Sequence, residues 1–167
     1  MTDVVLGKNQ YGKAENHVVR IHRDTDRHVI RDLVVTSQLR GDFDAVHTQG
    51  DNGHCVPTDT QKNTVFAFVQ KYGVDSPEAL LLKLSEHFTS EFEWVSGGRW
   101  AADEHAWDRI NHHDHCFVQN KQEVRTAVVV TDGSRSTVIS GFKDLTVLKS
   151  TESGFEGYPK DRYTTLP

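Results

Sequence analysis

Residues 56–64, VPTDTQKNT, constrain the fold more than any other stretch. The chain before them reads as a Gly/His-rich loop and the chain after them as helical, so they must open the helix. Pro57 fixes its own φ and stiffens the chain just before Thr58 and Asp59. Thr58, Asp59 and Thr60 are residue types that cap helix N-termini, because a short side-chain oxygen accepts from the free N–H groups of the first turn. The stretch is thus a rigid corner that opens a helix and presents hydroxyls and a carboxylate at its positive end. The plainer role of such a corner is a cap, and the same geometry also holds an anionic or enolic ligand.

Around the corner the elements follow from periodicity. Residues 1–15 are polar and broken by glycine, with Tyr11-Gly12-Lys13 standing just before the first strand. Residues 17–22 (HVVRIH) and 28–40 (HVIRDLVVTSQLR) carry β-branched residues in short extended runs around an Asp-Thr-Asp-Arg turn, which predicts a hairpin. The imperfect alternation of the second run predicts a bulge there. Residues 41–53 read as a loop. Val65, Phe66, Phe68 and Val69 share a face of a helix over 60–72 that Gly73 closes. Ser76-Pro77-Glu78 opens a second helix, with Leu80, Leu81, Leu84, Phe88 and Phe92 on its buried side. Residues 94–110 read as a strand bent at Gly97-Gly98, with a helix over 101–110 as the competing assignment. Runs 124–131 and 136–149 flank Asp132-Gly133, a strong turn signal, and form the clearest hairpin. Residues 150–167 read as loop. The order strand, strand, helix, helix, strand, strand, with an extra hairpin arm, predicts an α+β fold: an antiparallel sheet with both helices on one face.

Bulk properties narrow the function. A net charge of −5 and a pI near 6.0 give no basis for a nucleic-acid or membrane-surface partner. No apolar run approaches the roughly 20 residues that span a bilayer. The N-terminus lacks the layout of a signal peptide, so the expected compartment is the cytoplasm, with Cys55 and Cys116 as reduced thiols. The 10 histidines, clustered at His112, His113 and His115 beside Cys116, raise a metal site as an alternative to a polar loop. Adjacent residues on a strand point to opposite faces, so these could ligate together only across a sharp turn.

Several ordered segments together resemble urate oxidase, of the bacterial type. They are Tyr11-Gly12-Lys13, the 58–64 corner TDTQKNT, 145–151 (LTVLKST), Phe155 and 161–165 (DRYTT), with 39–43 (LRGDF) and Gly97-Gly98-Arg99-Trp100 on the bacterial side. The resemblance runs from about residue 4 to the end. It implies the tunnelling fold, in which a ββααββ unit with a four-stranded antiparallel sheet occurs twice per subunit and subunits assemble into barrels and a tetramer. Residues 1–150 would be the first unit. Residues 151–167 would be a linker leading to a second unit, expected in a missing segment or a second polypeptide because the chain stops at Pro167.

The same resemblance implies oxidation of urate by O2 and water to 5-hydroxyisourate and H2O2, with no metal or organic cofactor. Lys13 matches the catalytic lysine, and such a base needs burial or neighbouring cations. Thr58 matches the threonine that relays a proton between that lysine and water, a role suited to a hydroxyl that donates and accepts at once. Asp59 matches the residue whose backbone N–H touches the bound purine or the dioxygen side, and Phe155 the aromatic that stacks on the ring. In the family the lysine and threonine come from one subunit and the phenylalanine from its neighbour. Each residue also has a plainer use: Lys13 as a solvated cation, Thr58 and Asp59 at a helix start, Phe155 as a loop anchor. Two other readings are a metal-dependent enzyme of the same fold acting on a pterin or purine, and a non-catalytic assembly half.

Overall fold

A single sheet carries the fold, and its strands lie side by side in chain order. The computed structural model describes residues 4–165, apart from the side chains of residues 121 and 122. Residues 1–3 of the expected first unit, and residues 166 and 167 of the expected linker, therefore lie outside the described residues. Strands β1 (Tyr11–His22) and β2 (Val29–Gly41) pair antiparallel. A short helix α1 (Asp44–Gln49) precedes the corner, and α2 (Thr58–Tyr72) and α3 (Pro77–Glu91) follow it. Strands β3 (Val95–Arg109), β4 (Phe117–Asp132) and β5 (Arg135–Lys143) complete an antiparallel five-stranded sheet in the order β1-β2-β3-β4-β5. The ββααββ order of the tunnelling fold is present. The Asp132-to-Arg135 turn, with Gly133 at φ 57, adds the predicted arm as a fifth strand beyond the four of the basic unit.

Alternation explains which face is covered. Leu33, Val35 and Leu39 on β2, Trp100 and Ala102 on β3, and Ala127 and Val129 on β4 are all buried against α2 and α3. From the helices, Val65 and Val69, then Leu80, Leu81, Leu84 and Phe88, complete that core. Full burial of each such side chain contributes about 1.5–3 kcal/mol. α3 starts as expected: the Ser76 hydroxyl accepts from the Ala79 N–H at 3.1 Å, and Pro77 takes the first helical position.

The structure differs from expectation in several places. β1 begins at Tyr11, and the bulge lies in β1 rather than β2. Gly12 lets the two backbones close up there, since a Cβ on it would sit 1.8 Å from the Ser37 carbonyl oxygen. Residues 44–49 are helical, anchored by Phe43, which is fully buried and packs against Tyr11 of β1. α2 begins two residues early, and Pro57 occupies its N-cap position, so no side chain caps it. Phe66 faces solvent, its place on the buried stripe taken by Gln61. β4 extends back to Phe117, and β5 stops at Lys143. Residues 101–109 are strand, and Ile110 opens a short 3-10 turn.

Candidate functional site

Lys13 stands on the edge strand β1 directly opposite Ser37 of β2. Immediately after it the register slips: Ala14 and Glu15 together oppose Thr36. Glu15 adopts φ 55, and its N–H bonds the Thr36 hydroxyl at 3.1 Å. The buried Asn16 amide donates to the Val35 carbonyl at 3.1 Å and to the Lys13 carbonyl at 3.4 Å. This bulge bends the strand next to Lys13, which is how bulges re-aim a functional side chain.

The start of α2 supplies the other groups. With Pro57 at the N-cap, the first-turn N–H groups have no side-chain partner. They and the helix dipole form a positive rim suited to an anion. The Thr58 hydroxyl has no hydrogen-bond partner among the described residues. Asp59 is exposed and spends its carboxylate on its own helix, bonding Lys62 and, at 2.9 Å, the Asn63 amide. The Lys62 hydrogen bond and charge hold this carboxyl below the usual carboxylate range, and the charge of Lys13 adds to the effect. Lys13 therefore lies within electrostatic reach of the helix start.

A buried polar chain joins the two elements. The Ser37 hydroxyl donates to Gln61 Oε1 at 2.8 Å, and both residues are fully buried. Gln61 Nε2 donates to the Val56 carbonyl at 3.4 Å, and the Tyr11 hydroxyl donates to the same carbonyl at 3.0 Å. Tyr11 packs edge-on against Phe43 at 4.8 Å. Burial, with Cys55 alongside, pushes its phenol above the ordinary range, so it remains a donor. Motif reasoning about the site passed over Tyr11 as a donor, Asn16, Ser37 and Gln61. The available signal was Gln61 itself, a polar residue on the i, i+4, i+8 stripe it shares with Val65 and Val69.

Phe155 follows β5 in the chain, is 70% exposed, and stacks on Tyr158 at 5.0 Å. Lys13 and Asp59 lie within electrostatic reach of each other, and among the described residues no hydrogen bond, ion pair or ring contact links Phe155 to Lys13, Thr58 or Asp59.

The histidine-rich run forms a tight turn that docks onto the β1–β2 turn. Asn111 and His112 adopt φ 49 and 58. The His115 ring lies 4.3 Å from that of His28 and 5.7 Å from that of His113, and its Nε2 contacts the Asp26 carbonyl at 2.6 Å. Arg109 bonds the carbonyls of His113, Asp114 and His28. Among the described residues no three His, Cys, Asp or Glu side chains converge as a metal site would require. Cys55 and Cys116 are free thiols.

The family model described as Uricase matches residues 9–130. The chain is 61% identical over 165 residues to the uricase of Arthrobacter globiformis, covering 99% of this chain and 54% of that protein. It is 38% identical over 148 residues to the uricase of Schizosaccharomyces pombe, covering 86% of this chain and 50% of that one. The crystal structure of the Arthrobacter globiformis uricase superposes with a TM-score of 0.88 at 60% identity, over 99% of this chain and 56% of that chain. A uricase structure from Bacillus fastidious gives 0.76 at 25% identity, over 98% and 60%. The chain spans about half the length of the curated relatives it matches.

Proposed function

The chain belongs to the uricase family, and from that premise we propose that it forms the first half of a urate oxidase whose pocket is completed by other polypeptide segments. Urate, O2 and water go to 5-hydroxyisourate and H2O2. Lys13 and Thr58 form the proton relay: the amine accepts a proton and the hydroxyl passes it to or from water, each donating as it accepts. The Asp59 N–H, on the positive rim of α2, faces the anionic purine or the dioxygen beside it. Phe155 of a neighbouring subunit stacks on the flat ring, contributing about 0.5–1.5 kcal/mol beyond area burial. The electron-rich urate dianion reacts with dioxygen directly, so the protein's part is to orient, deprotonate and exclude bulk water, without metal or organic cofactor. The remaining ring contacts come from a second ββααββ unit, and the whole assembles as a tetramer of two-unit subunits. The compartment that fits is the bacterial cytoplasm; no described helix is long and apolar enough to cross a membrane.

The observation that carries this reading is the start of α2, where Pro57 holds the N-cap position, the first-turn N–H groups and the exposed Thr58 hydroxyl have no side-chain partner among the described residues, and the charge of Lys13 reaches Asp59. The test is urate-dependent oxygen uptake by the chain alone and by the chain mixed with the second half of a uricase. Uptake is expected in the mixture and not in the chain alone. A folded mixed assembly that consumes no oxygen with urate would favour the non-catalytic reading, and stoichiometric zinc in the purified protein would favour the metal-dependent one.

A further inference from the structure

We propose that Gln61 is a positioning residue: its side-chain amide is a buried strut that sets the placement of Thr58 relative to Lys13, a role that rests on the urate-oxidase reading for its catalytic consequence. Gln61 lies in the first turn of α2, fully buried, on the stripe it shares with Val65 and Val69. An apolar residue of similar length, methionine or leucine, would form the helix equally well and would need no polar partners. The amide instead makes two bonds, and each runs to a residue beside one of the two proposed relay residues. Its oxygen accepts from Ser37, the residue facing Lys13 across the β1–β2 ladder. Its nitrogen donates to the carbonyl of Val56, two residues before Thr58. Tyr11, two residues before Lys13, donates to that same carbonyl. The chain Ser37–Gln61–Val56–Tyr11 therefore closes a loop through β2, α2, the corner and β1.

The loop has a specific mechanical meaning. Asp59 braces the first turn from within, and the Val56 side chain is buried in the core. The Gln61 amide and the Tyr11 hydroxyl add the directional bonds between the corner and the strands. Hydrophobic burial of Val56, Val65 and Val69 holds this region on the sheet, but it is non-directional and does not by itself set the orientation of the first turn. A relay that depends on a hydroxyl within hydrogen-bond reach of an amine is sensitive to shifts of about 1 Å.

The test uses the labelled chain itself, with variants Gln61→Met and Ser37→Ala, which break the same bond from its two ends, and Val65→Ala, a core truncation on the same stripe. Amide relaxation dispersion at residues 12–13 and 58–60 is the first readout. Microsecond-to-millisecond exchange is expected to appear in both strut variants and not in Val65→Ala. Quiet amides in both strut variants, or the same exchange in Val65→Ala, would overturn the strut. If Gln61→Met does not fold, the milder Ser37→Ala decides. The second readout is oxygen uptake with the second half of a uricase supplied: kcat is expected to fall tenfold or more in the strut variants with KM within about twofold, while Val65→Ala keeps its kcat. Unchanged kcat in folded strut variants would make Gln61 structural only. Absence of turnover in the parent assembly would count against the urate reading while leaving the dispersion result to judge the strut.

Discussion

Lys13 owes its setting to three neighbours: Gly12, which lets β1 press against β2; Asn16, which pins the bulge; and Ser37, which faces it. A methyl group at Gly12 would fall on the Ser37 carbonyl, so Gly12→Ala must push the strands apart. Equilibrium urea unfolding of that variant is expected to show a loss of about 1–3 kcal/mol. Lys13→Met removes the amine and keeps the stem. This variant is expected to fold and bind urate but to lose about 100-fold or more in turnover; unchanged oxygen uptake would remove Lys13 from the relay. Little of this was legible in the chain as a bare pattern. A lysine after a glycine looks like a solvated cation, and only its likeness to a known motif singled it out. The Gln61 strut was written in the sequence as a polar residue on an apolar stripe, but its partner Ser37, and Tyr11, which donates to the same Val56 carbonyl, are distant in sequence and only folding brings them together.

The elements whose signals are local were legible, and those shaped by distant contacts were not. Ser76-Pro77 and Asp132-Gly133 act through their own backbone, and both mark the boundaries the structure has. The early start of β1 and helix α1 depend on Tyr11 and Phe43 packing together, which no window of sequence contains. At this scale α3 is tied to the sheet by Glu78, whose two carboxylate oxygens accept from Arg125 Nη2 at 2.9 and 3.0 Å and one of which also accepts from the Ser140 hydroxyl at 2.6 Å. Burial pushes the Glu78 carboxyl upward, but the Ser140, backbone and Arg125 interactions outweigh it and hold the group below its ordinary value. A depressed carboxylate stabilises the fold above its unfolded value, about 4.3, and that contribution is lost as pH falls through the folded value. Acid unfolding curves should therefore show Glu78→Gln destabilised by roughly 1 kcal/mol at neutral pH, with the gap closing below pH 4. A gap that persists in acid would place the effect in packing. Ser76→Ala should cost about 1 kcal/mol independently of pH, read by thermal unfolding.

For the whole molecule, the decisive fact is that β1 and β5 occupy opposite edges of one sheet. Lys13 stands on the first edge, and Phe155 follows the second in the chain. Exposed apolar residues occur on β5 and after it, with Ile139, Phe142 and Leu148 at 58%, 64% and 89% exposure. On the reading proposed above, a symmetric assembly brings a neighbour's Phe155 to the pocket that Lys13 and Thr58 begin. Subunit mixing tests this most directly. Lys13→Met chains and Phe155→Ala chains, each completed with the second half of a uricase, are assembled separately and together, and oxygen uptake is measured at urate well below KM. If each pocket draws its lysine and its phenylalanine from different subunits, random mixing restores about a quarter of the parent rate, because half the pairs are mixed and each carries one intact pocket. A mixed rate no greater than the average of the two variants alone would contradict the shared pocket.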